Sequence, residues 1–292
     1  MKIKQIASRL RTSLNLGRRK VKSPQTQPSR WPVTFESGFK SAKSALIVHG
    51  LHKSATTFLF QFFAEICRQI EVPIFSVHNQ PPDHFTIDAA IDHSFVLCPA
   101  RSFETKQYAF PDLESKRHLF QVRDPRDVLV SEYYSIGWRH SVEGWSQEDL
   151  QRRALIRTLS VDEYVLREPE ISKYPLLERY EPLLKTLLVD GHQQIGIAKY
   201  ETMVTDFASW LAPVLHALDI DCVAPVNEQL IPFLLNKYQD DFRPDSGTAG
   251  HKRNVTPGDH RNKLSIATIE TLNQRFEKVL SALDYQHSPI DW

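Results

Sequence analysis

The sequence predicts a three-layer α/β fold: a central parallel sheet flanked by helices, with a P-loop-like phosphate site at one strand end. Three observations predict it. Short apolar runs of strand length alternate with longer stretches of helical periodicity along residues 33–292, the pattern of strands joined by helical crossovers. Polar clusters with lysine, arginine and hydroxyl residues follow three of those runs, and open α/β sheets bind ligands beyond the carboxyl ends of their strands. With 292 residues, 41% of them hydrophobic and 24% charged, the chain is long enough to bury one large core.

Residues 1–32 read as a separate tail. Nine of the 36 Lys and Arg residues fall within 1–30, where there is no acid, and the remaining 27 face all 35 Asp and Glu. The body is therefore mildly acidic, which argues against nucleic acid as a partner and requires any anion site to be a local pocket. Ile6, Leu10, Leu14 and Leu16 among the basic residues fit a short amphipathic helix making weak contact with an anionic membrane surface. An acid-free start also fits a cleaved targeting segment. The composition as a whole is that of a disordered, solvated tail.

Residues 33–292 read as one domain. The run 44–48 (SALIV) is a buried strand, and 49–55 is a loop leading to a helix over 56–70. The runs 94–98 (SFVLC) and 118–122 (HLFQV) are the second and third strands. A helix follows the third, opened by Pro125, because proline is tolerated in a first helical turn. The run 195–199 (IGIAK) is a fourth strand, and helical segments fall near 146–160, 173–189, 203–218 and 226–236. A last helix sets Ile266, Ile269, Leu272, Phe276, Val279 and Leu283 on one apolar face. No run of 18 apolar residues occurs, so no membrane span is predicted. Cys67, Cys98 and Cys222 show neither metal-ligand spacing nor a disulfide framework. The first two sit in apolar runs as small buried hydrophobes, which fits a reducing compartment such as the cytoplasm.

The chemistry concentrates after the strands. Behind the first comes His52-Lys53-Ser54-Ala55-Thr56-Thr57-Phe58. A strand, a tight loop with lysine and hydroxyls, and then a helix present free backbone N–H groups and the positive end of the helix dipole to an anion. Lysine adds a mobile point charge. The nucleoside-triphosphate loop needs G-x-x-x-x-G-K-[ST], but Ile47 and His52 stand at its two glycine positions. A triphosphatase is disfavoured. The segment instead resembles the 5′-phosphosulfate loop of the sulfotransferase family, typically P-K-S-G-T-T-W. Ala55 replaces the glycine, and alanine is small enough for the same close approach provided its φ stays negative. Phe58 replaces the tryptophan and can stack on adenine.

The run Arg123-Asp124-Pro125-Arg126-Asp127-Val128-Leu129-Val130-Ser131-Glu132-Tyr133-Tyr134 is similar to the family's 3′-phosphate motif R-N-P-R-D-V-x-V-S-x-Y-Y, with Asp124 the main change. Arginine binds phosphate through parallel N–H bonds, and serine supplies a hydroxyl. Taken alone, Arg123 also reads as a helix-start partner of Asp127. Lys199-Tyr200-Glu201-Thr202-Met203 resembles the Y-E-D-M/L element that follows the fourth strand. His251-Lys252-Arg253-Asn254-Val255-Thr256-Pro257-Gly258-Asp259-His260-Arg261-Asn262 resembles R-K-G-x-x-G-D-W-K-N, with His260 in place of tryptophan. The resemblance spans 44–284 in the family's order. It implies that the chain binds 3′-phosphoadenosine-5′-phosphosulfate as co-substrate, releases 3′,5′-adenosine bisphosphate, needs no metal, and transfers sulfonate to a hydroxyl or amine of a small-molecule or carbohydrate acceptor. It places Lys53, Ser54, Ala55, Thr56, Thr57 and Phe58 at the phosphosulfate and adenine, Arg123, Ser131, Arg253 and Asn254 at the 3′-phosphate, and Tyr200 at the adenine.

Sulfonate transfer demands in-line approach of the acceptor oxygen and stabilisation of the departing phosphate, a task that falls to Lys53. A base must take the acceptor proton. The family's cytosolic branch has a histidine after the second strand, in K-T-H-L-P, where this chain has Cys98-Pro99-Ala100-Arg101. His78 is the preferred substitute, since it begins the polar cluster VHNQPPDH over 77–84. His84, His93, Asp83 and Glu104 stand behind it. Two other readings remain open at this level: a non-catalytic adenosine-bisphosphate-binding protein of the same fold, and a P-loop kinase of small molecules.

Overall fold

A computed structural model describes residues 46–69, 72, 74–75, 96–100, 117–188, 195–220, 226–238 and 256–285. Its centre is a parallel sheet of five strands: β1 (Leu46–Gly50), β2 (Ile74–Phe75), β3 (Val96–Ala100), β4 (Arg117–Val122) and β5 (Ile195–Lys199), in the order β2-β3-β1-β4-β5. Parallel strands are covered on both faces, and β1 accordingly is buried along its whole length. The register pairs Gly50 with Gln121 and Val122 with Lys199. The carboxyl ends of β1, β4 and β5 therefore lie side by side, and the three motif loops that follow them emerge in one place.

The strands agree with the sequence expectation, with one systematic shift. β1 runs on through His49 and Gly50, which sequence reading leaves in the loop, because both residues still pair with β4. β3 extends likewise to Ala100, opposite His49. Two-residue β2 lies just ahead of the 77–84 cluster.

On one face of the sheet, α1 (Thr56–Gln69) buries Leu59, Phe62, Phe63 and Ile66. It packs against α7 (Phe207–Ala217) through Phe62 and Trp210, whose ring centroids are 5.1 Å apart. Trp210 Nε1 donates to Gln121 Oε1 at 2.9 Å, which satisfies the one glutamine buried in β4. The other face carries α2 (Pro125–Tyr134), α3 (Gln147–Thr158), α4 (Val161–Ile171), α5 (Leu176–Leu188), α10 (Ile266–Arg275) and α11 (Glu277–Ala282). Leu51, Val122, Val128, Tyr164, Leu183, Leu272, Phe276 and Leu280 share its core. Between and after these lie α6 (Tyr200–Thr205), α8 (Ile231–Tyr238) and α9 (Asp259–Lys263), with π-helical turns over Ser135–Arg139 and Val226–Leu230.

Several expected helices divide. The 203–218 segment becomes α6 and α7, because Asp206 leaves the helical conformation and caps α7 by accepting from Ser209 N. The last helix breaks at Phe276 into α10 and α11, and Ile266, assigned to its apolar face, is exposed. Sequence reading leaves α4 out. Its signal is the capping box of Ser160 and Glu163. Cys67 and Cys98 are buried free thiols, and burial pushes Cys67 up to about 12. Cys222 lies outside the described residues. Among those residues no helix is long and apolar enough to cross a membrane.

Candidate functional site

The first strand-end loop is built on tight backbone geometry. Gly50 ends β1 where a Cβ would come within 2.6 Å of Thr56 Cγ2, so the return of the chain into α1 needs the missing side chain. Leu51 N donates to Gln121 O at 3.3 Å and ties the loop to β4. Lys53 and Ala55 adopt φ of 66° and 65°. This overturns the expectation of a negative φ at Ala55: the backbone takes the left-handed conformation that favours glycine. Ser54, between them, is fully buried and turned inward. Its amide and its hydroxyl both donate to Leu51 O. The side chain expected at the anion closes the loop instead. Thr56, Thr57 and Phe58 then form the first turn of α1, where backbone N–H groups have no carbonyl a turn earlier to bond. Phe58 is half-buried against Phe62 and Tyr238, both at 5.6 Å between centroids. It serves an aromatic cluster rather than standing free for a base.

The second loop joins β4 to α2. Arg123 Nη1 donates to Lys53 O at 3.0 Å, and its guanidinium carbon lies 4.2 Å from the centroid of the Tyr200 ring. The first, second and third motifs thus meet at one point. Arg123 is buried, and its Nε has no hydrogen-bond partner among the described residues. Burial alone would lower its pKa, but Tyr200, Asp127, Glu201 and Asp124 outweigh it and keep the charge. Asp127 supports Arg123 by charge, while its hydrogen bonds go to the fourth motif. Its carboxylate accepts from Gly258 N at 2.7 Å and His260 N at 2.9 Å, and meets His260 Nδ1 at 2.7 Å. The second motif thereby anchors the end of the fourth. Arg253 and Asn254 lie outside the described residues, as do His78, His84, His93, Asp83 and Glu104.

A buried network holds the corner. Asp124 caps α2 by accepting from Arg126 N at 2.9 Å and takes Arg126 Nε and Nη2 at 3.0 and 2.6 Å. Arg126 Nη1 continues to Asn273 at 2.6 Å. Asp124 N donates to Glu201 at 2.9 Å, Tyr285 OH donates to the other Glu201 oxygen at 2.9 Å, and Tyr180 OH donates to Arg123 O. Burial pushes Glu201 up to about 7, against the hydrogen bond from Asp124.

Residues beyond the sequence candidates complete the surroundings of Lys53. Its ammonium donates to Ser135 Oγ and lies 3.5 Å from His140 Nε2, which is itself 2.9 Å from Ser135 Oγ. Ser131 is half-buried one turn before Ser135, on the same helical face. Neighbouring His52 meets Glu132 at 2.5 Å, and Arg179 grips both Glu132 oxygens at 2.7 and 3.2 Å. Burial raises the Glu132 carboxyl, but Arg179 and His52 outweigh it and hold it at about 2. The readable signal for Ser135 and His140 was weak: a serine and a histidine just past a helix, in a motif that ends at Tyr134. Among the described residues no group of three or more His, Cys, Asp or Glu is placed to hold a metal. The assembled site is a strand-end corner with helix-start amides, one ammonium, one fixed guanidinium and the Tyr200 ring. Such a corner suits a ligand with two separated anionic groups and a flat ring.

No family model and no curated protein matches the chain. Among solved structures, the mouse sulfotransferase SULT7A1, crystallised in complex with PAP, superposes with a TM-score of 0.56 over 84% of this chain and 89% of its own, at 14% sequence identity. The likeness is one of fold.

Proposed function

We propose that this protein is a sulfotransferase that moves a sulfonate group from 3′-phosphoadenosine-5′-phosphosulfate to a hydroxyl or amine acceptor. One observation carries the reading. Arg123 donates to the carbonyl of Lys53 and stacks on Tyr200 at the adjoining ends of β1, β4 and β5, so one residue from each of the first three motifs that the sequence resemblance marks for the nucleotide meets the others there. In this reading the amides of Thr56, Thr57 and Phe58 hold the 5′-phosphate. Arg123, with Ser131 farther along α2 and Arg253 and Asn254 from the fourth motif, holds the 3′-phosphate. Tyr200 packs on the adenine. The acceptor oxygen attacks sulfur in line, and the electron pair of the breaking S–O bond leaves with the 5′-phosphate. Lys53 neutralises the charge that grows there, an interaction stronger in the transition state than before it. Similarity of the fold to a PAP-bound sulfotransferase supports the reading.

The test is direct. Calorimetric titration should find 3′,5′-adenosine bisphosphate bound at least tenfold more tightly than ATP, and labelled donor should pass sulfonate to members of an acceptor panel. Equal or tighter ATP binding would sink the assignment. Tight bisphosphate binding with no transfer would leave a nucleotide-binding protein without catalysis.

A further inference from the structure

We infer that His140 is the general base of this site: its Nε2 takes the proton of the attacking acceptor. The inference rests on the sulfotransferase reading above and assigns the one role that reading leaves open. Three observations carry it. First, position: Nε2 is 3.5 Å from Lys53 Nζ, the group that reading sets at the departing phosphate. In-line transfer brings the acceptor close to the same sulfonate, and a base must come within about 3 Å of the acceptor oxygen or reach it through one water.

Second, polarity. Lysine only donates hydrogen bonds. With the Lys53 ammonium donating to Ser135 Oγ, the serine keeps its own proton to give, and we take Nε2, 2.9 Å away, as its acceptor. A lone pair rather than an N–H also suits a nitrogen facing a cation. The ring nitrogen turned to the site is then the accepting one, and the other carries the proton. Two cations flank the residue: Lys53 at the ring, and Arg153, whose Nη1 donates to His140 O at 2.7 Å.

Third, the backbone is built to hold this arrangement. In an α-helix, residues five apart diverge by roughly 140° around the axis. The π-helical turn over Ser135–Arg139 closes instead with His140 N donating to Ser135 O at 2.9 Å, which returns the histidine to the serine's side. Arg153 Nε and Arg157 Nε both donate to Gly137 O, at 3.0 and 2.6 Å, and fix the turn. Such turns are rare and recur at functional sites.

The step balances. The acceptor oxygen forms the new S–O bond with its own electron pair, the bond to the bridging oxygen breaks, and that pair leaves on 3′,5′-adenosine bisphosphate. The acceptor proton passes to His140 Nε2, and the imidazolium later releases it to water. The experiment compares wild type, His140→Ala and His140→Gln for bisphosphate affinity and for donor turnover. Turnover is followed with a panel of aliphatic alcohols and phenols, and with water alone as acceptor, read as sulfate release. Glutamine keeps a hydrogen bond to Ser135 but takes no proton. The expected result is affinity within about threefold of wild type in both variants, turnover down by about 10²–10⁴ in both, and partial rescue of His140→Ala by added imidazole. Turnover of His140→Gln within tenfold of wild type overturns this inference alone, as does loss of bisphosphate affinity in both variants, which marks a structural role. A wild type that neither binds the bisphosphate nor consumes the donor overturns the sulfotransferase reading with it.

Discussion

The two strand-to-helix corners of the site sit on neighbouring strands and solve the same problem in opposite ways. The β1–α1 corner spends five residues, two of them with positive φ; Leu51 and Ser54 close it through backbone carbonyls, and Arg123 reaches in to Lys53 O. The β4–α2 corner spends two residues, Arg123 and Asp124, before Pro125 opens the helix. It is held by side chains from four other places: Tyr180, Glu201, Asn273 and Tyr285. The first offers helix-start amides and a movable lysine. The second offers a fixed guanidinium. Removing the lysine side chain from the first corner should therefore appear in chemistry and leave the fold intact, and removing a carboxylate from the second should appear in stability.

Lys53→Ala tests the first half and should give the largest effect. Turnover should fall at least about 10³-fold, or roughly 4 kcal/mol, with the melting temperature within about 2 °C of wild type, because the side chain is only half-buried. Single-turnover rates beside melting curves measure both. A near-normal rate would remove Lys53 from the mechanism. Asp124→Asn tests the second half. It restores the residue usual in the resembling family, yet it strips the carboxylate from the buried Arg126 guanidinium. Breaking a buried pair from one side costs about 3–5 kcal/mol, so urea unfolding should show a loss of about 3 kcal/mol. Unchanged stability would end the contrast between the corners.

Glu201 sharpens the contrast with pH. Its folded pKa is raised from 4.5 to about 7, first by burial. A raised carboxyl contributes stability below the unfolded value, and this is lost as pH climbs from 4.5 through 7, by up to about 1.4 kcal/mol per pH unit. Glu132 runs the other way: lowered to about 2, it contributes above pH 4.5 and its contribution fades as pH falls. Glu201→Gln should therefore match wild type near pH 5 and exceed it by about 1–3 kcal/mol near pH 8. Parallel stability curves for the two proteins would show that Glu201 does not titrate in this window.

The same contrast explains what the sequence made legible. Strand runs, the Pro125 helix start and the order of the motifs are local patterns, and the sheet places Lys53, Arg123 and Tyr200 together as those patterns imply. The positive φ of Ala55 was not legible, because alanine does not announce it as glycine would. The inward turn of Ser54 depends on how the loop closes on Leu51. Ser135 and His140 were missed because a π-helical turn changes which residues share a side, and no periodicity at 3.6 residues exposes that. The buried corner joins residues 124, 126, 201, 273 and 285, contacts that only tertiary structure creates. In the other direction, the α4 capping box was readable from Ser160 and Glu163.

The smallest predicted effect asks whether the first corner is strained. Ala55 at φ 65° holds a conformation that costs an L-residue with a Cβ about 1–2 kcal/mol. Ala55→Gly removes that cost but widens the unfolded ensemble, a loss of about 0.4–1 kcal/mol. The net expectation is a gain of about 0.5–1 kcal/mol in urea unfolding. Turnover should stay within about twofold, since the loop keeps its path and its amides. Gly50 supplies the control from the same corner. There a Cβ would meet Thr56 Cγ2 at 2.6 Å, inside a helix start that cannot retreat without moving α1, so Gly50→Ala should destabilise by about 1–3 kcal/mol, as overpacking does. Opposite signs at two positions five residues apart would show that the corner is shaped by backbone geometry. If Ala55→Gly destabilised the protein, the left-handed turn would not be a source of strain, and the loop would be as fully determined as its neighbour on β4.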